Sequence, residues 1–301
     1  MNPLLPRIHS VLSRCVRRAS KHLYQSVRWR ALARPQVLFV VGCQHSGATL
    51  MSNLFDADRD CRVFEEFSVL SSRAKAGVRL IPLPDVAAII GRVRAPLVVV
   101  KPLVETQRVR TLLSYFSGAR ALFLYRHYAD VASSQLTEFG AGSAIENIRS
   151  IAAGERHNWR STAASAAVRE CISQLYSESM NPQDAAALFW WARTRLYYDL
   201  ELGARTDVML CRYEHLTTDP AAVMHRIYAF VGLQCPDLSH SAQVHSATSK
   251  GRDLQLSAPV RSLCEQLQAR LDAQYEWQLP AHTVPAVIAD TPVAQLQSAL
   301  Q

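Results

Sequence analysis

Short uninterrupted apolar runs alternate along this chain with stretches of helical period. Val37–Val41, Leu97–Lys101, Ala121–Tyr125 and Val208–Cys211 have the length and composition of buried strands. Between and after them, apolar residues recurring every three to four positions predict helices at about 49–56, 84–93, 106–117, 128–138, 183–202, 220–231 and 258–273. Strands alternating with helices, and apolar throughout, argue for an α/β fold whose central parallel sheet is flanked by helices. Residues 140–180, rich in Ala, Ser, Gly and polar groups, read as a helical lid insertion. Trp190 and Trp191, with Leu188, Phe189, Leu196 and Tyr197, sit at helical spacing and predict a core helix rather than an acceptor platform. Scattered prolines after Pro280 mark a flexible tail. The expected organisation is an arm over 1–34, one domain over 35–280 and a tail over 281–301.

The first strand runs into Gly42-Cys43-Gln44-His45-Ser46-Gly47-Ala48-Thr49, and a helical pattern follows through Leu50, Met51, Leu54 and Phe55. Strand, glycine-bounded loop and helix is the arrangement that wraps backbone N–H groups and a helix N-terminus around a phosphate. The spacing is that of a P-loop, G-x4-G-x-[ST], which makes the expected architecture a P-loop-like three-layer fold. Ala48 stands where a nucleotide hydrolase has the lysine it places on its β- and γ-phosphates. The loop is therefore expected to hold a phosphate-rich ligand other than ATP or GTP, although a P-loop kinase or NTPase stays open here. Ligands of parallel sheets gather at the carboxyl ends of the strands. The 42–49 loop, Lys101 and Arg126 all fall at such ends.

Charge changes the picture of the arm only. The net charge of the 301-residue chain is +8, yet residues 1–34 hold eight Lys/Arg and no Asp or Glu, leaving 25 basic against 25 acidic residues in the remainder. The basic excess belongs to the arm, and no nucleic-acid partner is expected. Ile8, Val11, Leu12, Cys15, Val16, Ala19 and Leu23 recur there at helical spacing. A basic amphipathic helix of this kind either lies on an anionic membrane surface or packs on its own domain. No run of eighteen apolar residues occurs, so no transmembrane anchor is expected, and no apolar h-region suggests a cleaved signal. Seven scattered cysteines, never in C-x-x-C spacing, predict a reduced cytoplasmic chain without a disulfide framework or a metal site, possible contact with the inner membrane face being left to the arm.

Arg126 follows a strand and precedes a helix beginning near Tyr128, a good position for an anion, and Ser134 lies two turns further on. The alternative is that Arg126 simply pairs with Asp130. A phosphosulfate-type loop, then R-x3-D-x3-S over Arg126–Ser134, then a strand ending in Arg212-Tyr213-Glu214-His-Leu, resembles the sulfotransferases that use 3′-phosphoadenosine-5′-phosphosulfate (PAPS). The three motifs occur in the family's order over roughly residues 36–273. The resemblance implies sulfuryl transfer from PAPS, released as PAP, to a hydroxyl acceptor, with no metal. It assigns Gln44, His45, Ser46, Gly47, Ala48 and Thr49 to the 5′-phosphosulfate, Arg126 and Ser134 to the 3′-phosphate, and Tyr213 to the nucleotide. Lys250 and Gly251 resemble a late K-G pair that closes over the 3′-phosphate, with an exposed basic turn as the alternative.

His45 departs from the family, which usually has Arg or Lys before the Ser-Gly of the loop. A histidine can stabilise charge on the departing oxygen only as a cation or an N–H donor. The alternatives are His45 with a stronger pH dependence, Lys101 carrying most of the load, or a degraded enzyme. Lys101-Pro102 resembles the family's K-x-P or K-D-P element. Glu66 is the expected general base, its spacing after the loop resembling the protein-tyrosine sulfotransferases, and Glu65 is the adjacent alternative. The acceptor is expected to be a carbohydrate or glycolipid hydroxyl, with a peptidyl tyrosine as the rival. A non-catalytic nucleotide-binding protein also stays open. His157 and Trp159 are candidates to meet the acceptor.

Overall fold

A computed structural model describes residues 19–30, 34–74, 77–237 and 253–278. Five parallel strands form the central sheet in the order β2-β5-β1-β6-β7. They are β1 (Gln36–Gly42), β2 (Cys61–Phe64), β5 (Leu97–Val100), β6 (Arg120–Tyr125) and β7 (Val208–Arg212). β1 is central because both of its neighbours need an apolar partner: Phe39 lies opposite Val100 on one side and Ala121 on the other. After β1 the chain builds one half of the sheet, through β2 and β5, and then the other half, through β6 and β7. That reversal leaves a crevice beyond the carboxyl end of β1.

Alternation along β1 divides the core into two layers. Val37, Phe39 and Val41 belong to one apolar cluster, and Leu38 and Val40 to the other. The odd positions face α3 (Leu83–Ile90), α4 (Val109–Tyr115), α5 (Tyr128–Ala152), α7 (Pro182–Thr194) and α11 (Ala258–Trp277). The even positions face α2 (Ala48–Ala57), α9 (Tyr213–Thr218) and α10 (Pro220–Phe230). The short helices α6 (Ala166–Leu175) and α8 (Leu196–Asp199) complete the order, and α1 (residues 19–28) precedes the sheet. The architecture is the expected three-layer α/β fold. Trp190 is fully buried, as its spacing predicts, and its indole N–H donates to the Arg126 carbonyl at 3.1 Å.

Several elements differ from the expectation. Strand β2 goes unread because it is a four-residue edge strand with half-exposed Arg62 and Val63 at its centre. A two-stranded antiparallel sheet, β3 (Ser71–Ala74) with β4 (Gly77–Leu80), also goes unread. The segment expected to be helical over 106–117 starts as a 3-10 turn at Leu103–Arg108, and the helix runs only over α4. α5 continues well past 138, with a kink at Gly140 whose φ of 77° suits glycine. The expected lid is thus helical over the second half of α5 and over α6, joined by turns. The tail after Pro280, Lys250 with Gly251, and residues 1–18 of the arm lie outside the described residues.

Candidate active site at the strand ends

The loop after β1 is shaped by two glycines. Gly42 has φ 139°, and a Cβ there would lie 2.2 Å from the Leu124 carbonyl oxygen, so only glycine lets β1 press against β6. Buried Thr106 fixes the same residue: its hydroxyl accepts from the Gly42 N–H at 3.0 Å and lies 2.9 Å from the Gly42 carbonyl oxygen. Gly47, at φ 93°, sits at the N-cap of α2. No side chain caps that helix and its first turn carries no acidic residue, so its N–H groups and dipole are left for an anion.

Tyr213, first residue of α9, closes the other side of this loop. A Cβ on Gly47 would lie 2.0 Å from the Tyr213 ring, and the Arg126 guanidinium lies 4.4 Å from the centroid of the same ring. Three strand ends, those of β1, β6 and β7, therefore meet at one tyrosine. Glu214 braces the junction: its carboxylate accepts from the His127 N–H at 2.9 Å and from Arg212 Nε at 3.4 Å. Arg126 also lies 3.6 Å from Asp130 Oδ2, the pairing its spacing allowed. Its Nε is buried without a partner, as are the amide atoms of Gln44 and the hydroxyl of Ser46. Buried donors this close to an uncapped helix start suit a ligand carrying several anionic oxygens.

His45 takes a left-handed conformation, φ 64°, which turns its ring across the crevice to α5. Its Nδ1 hydrogen-bonds the Ser134 hydroxyl at 3.2 Å and lies 3.6 Å from Glu138 Oε2. Burial holds the imidazole below its ordinary pKa; Glu138 opposes that shift and the Arg126 charge adds to it. The shift favours the uncharged ring, which keeps one N–H to donate.

On the other flank, β2 and β5 end together. Lys101 N donates to the Phe64 carbonyl at 2.9 Å, extending the ladder by one bond, and sets the nearly buried lysine beside the acidic pair. Lys101 Nζ pairs with Glu65 and reaches Thr49 Oγ1 at 3.5 Å. The two glutamates separate in role where the chain leaves β2 and bends at Glu66. Glu65 engages the lysine. Glu66 lines the cavity, and burial pushes its carboxyl above the usual range; Lys101 pulls it down and Glu65 pushes it up.

That cavity has a volume of about 310 Å³ and runs from His45 and Glu66 toward the lid. Phe139, Trp159 and Phe189 supply aromatic walls; Gln135, Glu138 and Asn147 supply polar edges. Arg160 donates to Asn147, and buried Arg193 donates to the Trp159 carbonyl at 3.4 Å, which fixes the wall. Trp159 thus lies where the sequence suggested, whereas His157 is exposed and does not line the cavity. Phe189 reads from its spacing as part of the core helix and not as an acceptor platform, and the structure corrects that by placing its ring in the cavity wall; Glu138 and Phe139 were not singled out in the sequence, although they lie one turn beyond Ser134 on the same helix, which is the signal that could have found them.

The structure brings together Gln44 to Thr49, Arg126, Ser134, Tyr213, Glu66 and Lys101. Among the described residues there is no group of three or more His, Cys, Asp or Glu side chains placed to hold a metal ion.

The model of the sulfotransferase domain family matches residues 35–252. Among solved structures, a sulfotransferase domain from the curacin biosynthetic pathway aligns with a TM-score of 0.46 at 14% identity, covering 82% of this chain and 100% of that one. A sulfotransferase from Alicyclobacillus acidocaldarius aligns at 0.43 and 17% identity, covering 82% and 96%. Mouse sulfotransferase SULT7A1, in complex with PAP, aligns at 0.38 and 15% identity, covering 69% and 63%. No curated protein matches the chain.

Proposed function

The chain belongs to the sulfotransferase domain family, and from that premise we propose how its residues divide the work of moving a sulfuryl group from PAPS to an acceptor hydroxyl. The carrying observation is the Tyr213 ring lying against both Gly47 and Arg126. In this reading the amides of residues 44–49 and the start of α2 hold the 5′-phosphosulfate, Arg126 and Ser134 hold the 3′-phosphate, and Tyr213 flanks the nucleotide. Lys250 and Gly251 keep the assignment that the family resemblance gives them, since they lie outside the described residues. PAPS supplies the activated sulfuryl group and a phosphate leaving group.

Glu66 accepts the proton of the attacking hydroxyl. Its raised pKa makes it a stronger base once ionised, and nearby Lys101 favours the ionised form. Lys101 and His45 offset charge on the departing phosphate oxygen, Lys101 as a cation and His45 as an N–H donor. Positioning and charge stabilisation supply most of the rate. Glu65 holds Lys101 at the strand end and keeps it from folding back onto Glu66.

For the acceptor we propose a carbohydrate hydroxyl, on a free glycan or a glycolipid. A sugar ring has apolar C–H faces and a polar rim, and the cavity offers aromatic planes with amide and carboxylate edges. Phe67 at its lip, 69% exposed, would suit the apolar part of a glycolipid. The same reading assigns the chain to the cytoplasm, where its described cysteines, unbridged here, would stay as thiols.

The test is transfer from radiolabelled PAPS to separate glycan, glycolipid and tyrosyl-peptide pools, with wild type and Glu66→Gln. Label entering the glycan or glycolipid pool, and lost in Glu66→Gln, is the expected result. Label entering only the peptide pool overturns the acceptor assignment, and undiminished transfer by Glu66→Gln overturns the base.

A further inference from the structure

The N-terminal helix is docked with its polar side inward. Lys21 Nζ donates to the Asp56 carbonyl at 2.7 Å and lies 3.2 Å from its carboxylate. Gln25 Nε2 donates to the carbonyls of Arg59 at 2.8 Å and Cys61 at 3.1 Å. Trp29 Nε1 donates to Asp60 Oδ1 at 2.6 Å, and Arg59 stacks over the Tyr24 ring at 4.1 Å. Residues 21, 25 and 29 recur every fourth position, so one face of the helix is committed to the domain. The opposite face carries Leu23 and Val27, one turn apart and 69% and 72% exposed.

This orientation is the reverse of what a helix uses to complete its own core, where the apolar stripe turns inward. Two large apolar side chains held outward on an ordered helix need a covering surface. Charge says which kind. The first 34 residues contain Arg7, Arg14, Arg17, Arg18, Lys21, Arg28, Arg30 and Arg34, and no acidic residue. Among the described residues Leu23 and Val27 share one face, Lys21 is spent on Asp56 on the docked face, and Arg28, Arg30 and Arg34 are exposed. An apolar face flanked by exposed basic side chains is the pattern of a helix that lies in the plane of an anionic lipid interface.

We propose that the N-terminal helix is an interfacial anchor that seats the face of Leu23 and Val27 on an anionic lipid surface. Its attachment points are the end of α2 and the start of β2, at the opposite end of the strands from the cradle. Seating the helix therefore leaves the cradle and the cavity uncovered. This inference does not depend on the transfer reaction.

Flotation of the full chain with phosphatidylcholine vesicles, with and without phosphatidylserine, tests it. The wild type floats with the serine-containing vesicles and releases as salt rises. In the L23E/V27E double variant, vesicle binding falls by at least about tenfold, because two apolar side chains lose their burial. Leu23→Ala/Val27→Ala falls between the two. Both positions are exposed, so far-ultraviolet circular dichroism and the melting temperature stay those of the wild type. Three results overturn the proposal: equal flotation with and without phosphatidylserine, flotation of L23E/V27E like the wild type, or a wild-type dimer in light scattering that the double variant converts to a monomer without any vesicle binding. The last would give the face to a second copy of the chain.

Discussion

Gly47→Ala is the most informative single perturbation of the cradle. The position has φ 93°, and the new methyl would lie 2.0 Å from Tyr213 Cδ2 and 2.4 Å from Cε2. Two effects follow. Holding a non-glycine residue at positive φ costs about 1–2 kcal/mol. Relieving the clash displaces the Tyr213 ring, which forfeits its contact with Arg126, worth about 1 kcal/mol for a partly desolvated cation–π pair. If both effects fall on the binding conformation, the sum is about 2–3 kcal/mol, or roughly 30- to 150-fold in affinity for PAP. Isothermal titration of PAP measures it directly. The same experiment on Tyr213→Ala and on the double variant completes a cycle. Removing the ring removes the clash, so the double variant should bind better than the sum of the single losses allows, by at least about 1 kcal/mol. Wild-type affinity in Gly47→Ala, or additivity within about 0.5 kcal/mol, would refute the claim that the loop and the tyrosine form one binding unit.

Other expectations follow from the same geometry. Glu66→Gln should lower kcat by about 10²- to 10⁴-fold with PAP affinity unchanged within error; a loss confined to KM would place Glu66 in binding instead. The same variant should be more stable than the wild type above the ordinary carboxylate range. A carboxyl whose pKa is raised on folding binds more protons in the folded state, so it withdraws stability as pH rises through its folded pKa. Thermal melts of both proteins from pH 4 to 8 check this, and parallel curves would contradict it. His45 has the opposite proton balance: its folded pKa is lowered, so the unfolded chain binds more protons and stability falls as pH drops below its ordinary value. His45→Gln should flatten that acid limb in the same melts, and an unchanged limb would assign it to other groups. Lys101→Met should cost about 10²- to 10³-fold in kcat, as loss of one fixed donor to a developing anion does; retention of activity would pass its role to His45.

The layers of the fold were legible because β1, β5, β6 and β7 are fully apolar runs between helices of clear period. Strand β2 and the β3–β4 hairpin were not, since short segments with charged residues at their centres carry no periodic signal and are fixed by neighbours far along the chain. The cradle was partly legible for a related reason: Gly47, Arg126 and Tyr213 each fall at a strand end, and parallel strands bring their carboxyl ends together. What spacing could not supply is which of Glu65 and Glu66 faces the lysine, a question decided by side-chain direction at the end of β2. The cavity walls were less legible: Trp159 was a candidate, but Phe139 sits in no motif and Phe189 reads as core, and the three come together from two helices and a turn region, beside the α5 kink at Gly140 and the Arg193 bond to the Trp159 backbone. The outward apolar face of α1 was invisible as well, because periodicity shows that a helix has two faces and not which one its domain takes.

One cradle is proposed to read both phosphorylated ends of an adenosine nucleotide. Calorimetric titration of wild type and Arg126→Ala with PAP and with 5′-AMP, which lacks the 3′-phosphate, tests it most directly. The wild type should prefer PAP by at least about tenfold, as expected for charge-assisted hydrogen bonds to one phosphate, and Arg126→Ala should abolish most of that preference. Equal affinity of the wild type for PAP and 5′-AMP, or a preference that survives Arg126→Ala intact, would contradict it.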